Sequence, residues 1–145
     1  MTRGEIWWVD FGVPNGSEAG YRHPAIVVQN DNYNASRIYT TVVVPLSTNL
    51  SLAEHKDNLF LSKKITKLPK DSVACVPLIT SVDKNQLDEL VCKLSAEEMI
   101  QLMNCSIFSV IGVLDYNLKV FNDSDCELDF CIFVFFIGKC IFYSS

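Results

Sequence analysis

Residues 4–11 of this chain read GEIWWVDF, residues 22–30 read RHPAIVVQN and residues 40–49 read TTVVVPLSTN. The first segment predicts a strand from Glu5 to Asp10 with apolar side chains on both faces, which is typical of a strand inside a core or an interface. The other two segments are rich in β-branched residues and predict strands from Pro24 to Gln29 and from Thr40 to Leu46. Between the first two strands, Phe11 to Gly20 is rich in glycine and predicts a loop.

The rest of the chain up to Val113 predicts two further strands and a helix. Two more short strands are predicted at Asn58 to Leu61 and at Ser72 to Val76, and short strands without long helices between them indicate a small SH3-like barrel or a twisted antiparallel sheet. Ser95 and Glu98 then form a capping box, and an apolar stripe behind it predicts a helix from Ala96 to Val113. The predicted class is therefore mainly β with a C-terminal helix (α+β).

Composition narrows the class of protein. The chain has 145 residues, of which 49% are apolar and 20% charged, as expected for one globular domain. Its net charge of -5 argues against non-specific coating of nucleic acid, so any site for nucleic acid is expected to be local. No secretory signal opens the chain, so we expect a cytoplasmic protein. The six cysteines show no C-x-x-C pair and no histidine spacing for zinc, so we predict reduced thiols, no metal site and no cofactor.

The last part of the chain differs from the rest. Residues 1–116 are predicted to form the domain, whereas residues 117–145 begin with an acidic turn and continue with an apolar segment from Leu128 to Tyr143. The uncharged run within that segment is shorter than the roughly 20 residues needed to cross a bilayer. Three interpretations stay open: an extra strand that is packed or exchanged in a dimer, a frayed or non-native tail, and a membrane-associating segment.

Several separated motifs, in a fixed order, point to one family. They are GEIWWVDF at 4–11, GSEAGYRHPAIVVQN at 16–30, VVVPLSTN at 42–49, KLPKDSVA at 67–74 and the pair Val82-Asp83. Over residues 3–114 the chain resembles the MazF/PemK toxins. This resemblance implies a homodimer, a metal-independent endoribonuclease that cuts single-stranded RNA at short sequences, and a cognate antitoxin as the second partner. It implies no membrane partner.

The resemblance also proposes catalytic residues. Thr48 matches a threonine that the family carries at the end of the third strand. The family's arginine stands just ahead of a proline, but here His23 directly precedes Pro24 and Arg22 lies one position earlier. Either Arg22 takes the role of that arginine or His23 replaces it. Adjacent residues of a regular strand point to opposite faces, so both fit one groove only if the strand entry is irregular.

Cleavage of RNA without a metal needs three kinds of group. A base accepts the proton of the 2′-hydroxyl, donors stabilise the charge on the non-bridging oxygens, and an acid protonates the leaving 5′-oxygen. We predict that Arg22 clamps the phosphate and that Thr48 donates to the developing oxyanion. His23 then either transfers a proton or orients Arg22.

Further residues are predicted to contact RNA. They are Ser17, Glu18, Phe11, Ser47 and Asn49. The resemblance implies an RNA contact for Ser17, and Phe11 is of a type that stacks on unpaired bases. In the alternative interpretation Ser17 only caps its turn and Phe11 belongs to the core. The chain departs from the family at a position that concerns sequence specificity. Leu78 stands where relatives usually carry a glutamine, and loss of the glutamine removes a base contact.

Two other classes of function are compatible with the sequence. The related CcdB toxins share this type of fold and poison DNA gyrase without cutting RNA, and a fold does not fix a function. The His23 and Leu78 departures are also compatible with a degenerate member that binds RNA or antitoxin without cleavage. The presence of Thr48 together with Arg22 favours the endoribonuclease.

Overall fold

The computed structural model describes residues 1–14, 16 and 20–104. Its strands and helices are β1 (Glu5–Asp10), β2 (Arg22–Val27), α1 (Asp31–Asn34), β3 (Thr40–Ser47), β4 (Leu59–Leu61), α2 (Lys63–Thr66), β5 (Ser72–Ala74), β6 (Thr80–Asp83), β7 (Leu87–Lys93) and α3 (Ala96–Leu102). Short 3-10 turns lie at Leu50–Glu54, Val76–Leu78 and Lys84–Gln86. The prediction of a mainly β fold with a C-terminal helix is confirmed.

The strands form one seven-stranded sheet in which every pairing is antiparallel. Its order is β4-β5-β3-β2-β1-β7, and β6 pairs with β3. The long strand β3 is central because Val43 pairs with Val27 of β2 and also with Thr80 of β6. Strand β2 therefore lies along one edge of β3, whereas β5 and β6 share the other edge.

Both faces of β1 are packed, as its sequence predicts. Ile6 belongs to the larger core cluster and Trp8 packs against it. The cluster also contains the apolar residues of β2 and β3 that share this face and Leu102 of α3. Val9 belongs to a second cluster on the opposite face, and Trp7 packs against it. The other members of this cluster are Ala25, Val27, Val43 and Val82. Burial on both sides explains why this strand carries two adjacent tryptophans without polar alternation.

The loop between β1 and β2 is closed at its base by backbone bonds. Phe11 N donates to Tyr21 O, and Tyr21 N donates to Gly12 O. Gly20 is buried where a Cβ would overlap the ring of Pro14, so only glycine fits at this position. The loop is thus anchored where it meets the strand ends.

Helix α3 begins as its capping box predicts. Ser95 Oγ accepts from Glu98 N at 3.2 Å, and Ser95 N donates to Glu98 Oε2 at 2.6 Å. The α-helix ends at Leu102 with Met103 as its C-cap, and the predicted continuation from residue 105 to Val113 lies outside the described residues. The predicted tail, residues 117–145, and the domain boundary before it also lie outside them.

The cysteines agree with the prediction as far as the structure describes them. Cys75 and Cys92 are free thiols, and burial raises the pKa of both. The other four, Cys105, Cys126, Cys131 and Cys140, lie outside the described residues. Within residues 1–14, 16 and 20–104, no helix has the length and apolarity needed to span a bilayer.

Candidate active site at one end of the sheet

The predicted catalytic residues lie at one end of the sheet, because β2 begins where β3 ends. The two strands run antiparallel, and the last paired residues at this end are Ala25 and Pro45. Arg22 and His23 precede Ala25 along the chain, and Ser47 and Thr48 follow Pro45, so all four lie beyond this pair at the same end of the sheet. The sequence motifs around positions 22 and 48 therefore lie at one end of the sheet, although 26 positions separate Arg22 from Thr48 along the chain.

Thr48 sits in a turn that its two neighbours hold in place. Ser47 Oγ accepts from Asn49 N at 3.1 Å, and Asn49 Oδ1 accepts from Ser51 N at 3.2 Å and from Ser51 Oγ at 2.7 Å. Asn49 is thus the N-cap of the 3-10 turn that follows. We refer to residues 47–51 as the Thr48 turn. Thr48 itself is exposed, and its hydroxyl has no hydrogen bond to the described residues, so it is available to a ligand.

His23 and Arg22 lie on opposite faces of β2. The strand is regular from its first residue, since Arg22 pairs with Asp10 and His23 pairs with Val9. His23 therefore shares the face of the second core cluster, to which Val9 belongs. Its imidazole is exposed and makes no side-chain hydrogen bond within the part of the chain that the structure describes. The irregular strand entry that would bring both side chains into one groove is not observed.

Arg22 is held by three groups from other strands. Its Nε donates to Asp88 Oδ2 at 2.9 Å and its Nη2 donates to Glu89 Oε2 at 3.0 Å. The guanidinium carbon lies 4.6 Å from the ring centroid of Trp8, which is a cation–π contact. Arg22 thus reaches from β2 across β1 to β7.

These contacts orient the guanidinium more than they stabilise the fold. The hydrogen bond to Asp88 raises the pKa of Arg22, and Glu89 adds to this effect. Arg22, Asp88 and Glu89 are all exposed, with side-chain accessibilities of 46%, 59% and 66%, and exposed ion pairs contribute little to stability. Among the described residues Nη1 has no partner, so one edge of a fixed guanidinium remains open to a phosphate.

A cleft surrounds Arg22 where β1 ends and β2 and β7 begin. Asp10, Tyr21, Arg22, Asn85 and Asp88 are among its lining residues, and we refer to it as the Arg22 cleft. Thr48 and His23 are not among them. The end of the sheet therefore carries two polar regions, the Thr48 turn and the Arg22 cleft. Among residues 1–14, 16 and 20–104, no group of three or more His, Cys, Asp and Glu side chains is placed to hold a metal ion.

The other predicted RNA contacts divide into three groups. Phe11 is half-buried and packs against the second core cluster, as its alternative interpretation predicts. Ser47 and Asn49 lie beside Thr48, but their side-chain oxygens already accept the bonds of the turn. Ser17 and Glu18 lie outside the described residues.

Asp88 and Glu89 are not among the predicted site residues, because the sequence predicts no strand at Leu87–Lys93. That segment carries three charged residues and alternates poorly, so its strand conformation depends on pairing with β1. One local signal was available. Asp83 and Gln86 form a capping box, in which Gln86 Oε1 accepts from Asp83 N at 2.7 Å, and such a box marks a turn between two elements.

Comparison with known proteins identifies the family. The model of the PemK-like, MazF-like toxins of type II toxin-antitoxin systems matches residues 2–106. The chain belongs to this toxin family. It is 39% identical over 99 residues to Endoribonuclease MazF6 of Mycobacterium tuberculosis strain H37Rv, a match that covers 68% of this chain and 87% of the relative.

Solved structures of PemK/MazF-type toxins share the fold. MazF from Deinococcus radiodurans superposes with a TM-score of 0.65 at 18% identity, over 77% of this chain and 96% of that one. A mycobacterial endoribonuclease solved with its cognate antitoxin gives a TM-score of 0.62 at 17% identity, over 78% of this chain and 96% of that one. The sheet and the start of α3 therefore have the same fold as these solved toxins.

Proposed function

We propose that this PemK/MazF-type toxin is a sequence-specific, metal-independent endoribonuclease that cleaves single-stranded RNA. One observation carries the proposal: the exposed, unengaged hydroxyl of Thr48 lies at the same end of the sheet as His23 and Arg22. The 39% identity to a relative named as an endoribonuclease supports the same activity.

The reaction uses a nucleophile within the substrate. The 2′-hydroxyl loses its proton to a base and its oxygen attacks the adjacent phosphorus, while the bond from phosphorus to the 5′-oxygen breaks and that oxygen takes a proton. The products end in a 2′,3′-cyclic phosphate and a 5′-hydroxyl. DNA lacks this nucleophile and is not a substrate.

Three side chains divide this work. Thr48 donates a hydrogen bond to the non-bridging oxygen on which charge develops, and the Thr48 turn fixes its position in advance. His23 transfers a proton, because its exposed imidazole has no competing partner in the described residues. Arg22 lies on the opposite face of β2 from His23, so we assign it a phosphate of the RNA other than the one that is cleaved, bound through Nη1 while Asp88 and Glu89 retain Nε and Nη2. Orientation of Arg22 by His23 is not supported, since the two side chains lie on opposite faces.

The remaining contacts follow the family. Ser17, Glu18, Ser47 and Asn49 are proposed as RNA contacts, with Ser47 and Asn49 acting mainly through the turn they hold. Phe11 packs against the second core cluster and is no longer proposed as an RNA contact. A cognate antitoxin binds over the same groove, two copies of the toxin form a homodimer, and the compartment is the cytoplasm. A solved relative in complex with its cognate antitoxin supports the antitoxin as a partner.

The test is incubation of the purified protein with a long unstructured RNA in EDTA, followed by mass spectrometry of the fragment ends. We expect discrete cuts with 2′,3′-cyclic phosphate and 5′-hydroxyl ends, absent from Thr48→Ala and retained in Thr80→Ala, which removes an exposed threonine from β6. Intact RNA with a folded wild-type protein would contradict the proposal and favour a non-catalytic toxin. Cleavage that requires added metal would contradict the mechanism.

A further inference from the structure

The Arg22 cleft contains an aromatic residue whose backbone conformation is unusual. Tyr21 has φ of 56°, in the left-handed region that is unfavourable for residues with a Cβ. Among the described residues only one other non-glycine residue, Lys67 with φ of 57°, has a positive φ. Lys67 is the C-cap of α2, a position where this conformation is common. Tyr21 ends no helix, so another reason is needed for a tyrosine there.

The side chain of Tyr21 does not pack in a core. The residue is 63% exposed and lines the cleft beside Arg22. Its backbone is fixed on both sides, because Tyr21 N donates to Gly12 O and Tyr21 O accepts from Phe11 N. An exposed ring on a fixed backbone is the arrangement that proteins use to stack an unpaired base. Strained conformations of this kind are concentrated at ligand sites.

A second lining residue offers hydrogen-bonding groups. Asn85 is exposed, and its side-chain amide makes no bond to the residues that the structure describes. The neighbouring Gln86 is different, since its Oε1 accepts from Asp83 N and its Nε2 donates to Asp10 O. Gln86 thus fixes the 3-10 turn at Lys84–Gln86, whereas the side-chain amide of Asn85 can form hydrogen bonds with a ligand.

Beside the open edge of Arg22, the cleft carries carboxylates that can accept hydrogen bonds from a base. Asp10 and Asp88 line it and Glu89 stands beside it, against the one cation of Arg22. Asp10 Oδ1 accepts from Gly12 N and Asp88 Oδ2 from Arg22, so each carboxylate keeps an oxygen without a bond to the described residues. Carboxylate oxygens accept from N–H donors and repel carbonyl oxygens.

We propose that the Arg22 cleft is a nucleobase subsite, in which an unpaired base of single-stranded RNA stacks on Tyr21 and its edge is read by Asn85 and the carboxylates. The preferred base is guanine, whose N1–H and 2-amino group present adjacent donors to a carboxylate. Uracil, with two carbonyl acceptors, is disfavoured. This inference rests on the proposed function, since it assigns one base of that substrate.

The test separates binding from cleavage. Short U-rich RNAs that differ only in one central base (guanine, inosine or uracil) are titrated by fluorescence anisotropy against the full-length Thr48→Ala protein, which leaves them intact. We expect the guanine RNA to bind about tenfold more tightly than the uracil RNA, with inosine between them because it lacks the 2-amino group.

The variants decide whether the cleft is responsible. Tyr21→Gly on the same background suits the backbone conformation, so its unfolding temperature should not fall, yet the preference for guanine should disappear. Tyr21→Phe keeps the ring and should keep the preference. The control is Tyr39→Ala, because Tyr39 is 79% exposed but does not line the cleft. Should Tyr21→Gly not fold, Tyr21→Asn also tolerates a positive φ and takes its place.

Two results would overturn the subsite: equal affinities for the guanine and uracil RNAs, or a preference that Tyr21→Gly leaves unchanged. The proposed function fails separately. The wild-type protein could leave RNA intact in EDTA while the Tyr21-dependent preference for guanine persists. That result would support the nucleobase subsite and contradict the proposed endoribonuclease activity. If the wild-type protein cuts RNA but the preference for guanine does not depend on Tyr21, the endoribonuclease activity is supported and the nucleobase subsite is contradicted.

Discussion

The Thr48 turn and the Arg22 cleft lie at the same end of the sheet but are built in different ways. The side-chain bonds that hold the Thr48 turn join residues only two positions apart. Those that hold Arg22 join residues 66 and 67 positions apart, across β1. The turn is thus encoded locally and leaves its hydroxyl unengaged, whereas the cleft depends on the sheet and keeps its cation partly neutralised. Changes in the turn should therefore affect the chemical step, and changes in the cleft should affect binding.

The largest effect is expected from the hydroxyl itself. Thr48→Ala should lower kcat by about 10²- to 10³-fold, the usual cost of removing one donor to a developing oxyanion. The unfolding temperature should not change, because Thr48 is exposed and its hydroxyl has no bond to the described residues. Thr48→Ser, which retains a hydroxyl, should recover most of the rate. A Thr48→Ala enzyme with wild-type kcat in single-turnover cleavage would remove the turn from the chemistry.

The next comparison is between the two neighbours at the start of β2. His23→Gln should lower kcat by about 100-fold and remove one limb of the pH–rate profile, since a proton-transfer group is lost. Arg22→Gln should instead raise KM by about tenfold, because a charged hydrogen bond to phosphate is lost. Steady-state kinetics on a defined RNA separate the two. The opposite split, with kcat lost in Arg22→Gln and KM raised in His23→Gln, would exchange their roles.

A smaller effect is expected from the residue that caps the Thr48 turn. Asn49→Ala removes the N-cap of the 3-10 turn and should cost about 1 kcal/mol of unfolding free energy. The rate should fall severalfold as Thr48 loses its fixed position. Asn49→Ser retains a capping oxygen and serves as the control in thermal unfolding and cleavage assays. If serine restores stability but not the cleavage rate, Asn49 contacts the RNA directly in addition to capping the turn.

The smallest effect concerns the charge around Arg22. Glu89→Gln retains an acceptor for Nη2 but removes one negative charge, so RNA affinity should rise about two- to threefold at low salt and should depend more steeply on salt. Glu97→Gln, an exposed glutamate of α3, removes the same net charge elsewhere and should change affinity less. Equal effects in the two variants, measured by salt titration of RNA binding, would show that only net charge matters.

The sequence predicted much of the sheet but not all of it. The bounds of β1 were predicted as observed, and β3 differs from its prediction by one residue, because β-branched and aromatic runs signal strands strongly. Strand β2 begins two residues earlier than predicted, since pairing with β1 extends it through His23 and Arg22. That extension places the two side chains on opposite faces. Strands β6 and β7 were not predicted, because their own sequences favour no strand without a partner.

By itself, then, the sequence determined the elements whose stabilising contacts are local or whose apolar pattern is strong. These are β1, β3, the capping box of α3 and the polar residues of the Thr48 turn, together with the family to which the chain belongs. Only the tertiary structure decided the surroundings of Arg22, because Trp8, Asp88 and Glu89 reach it through the pairing of β2, β1 and β7. The strained backbone of Tyr21 was decided in the same way. A left-handed tyrosine is held by bonds across the mouth of a loop, and no local pattern of residue types records such bonds.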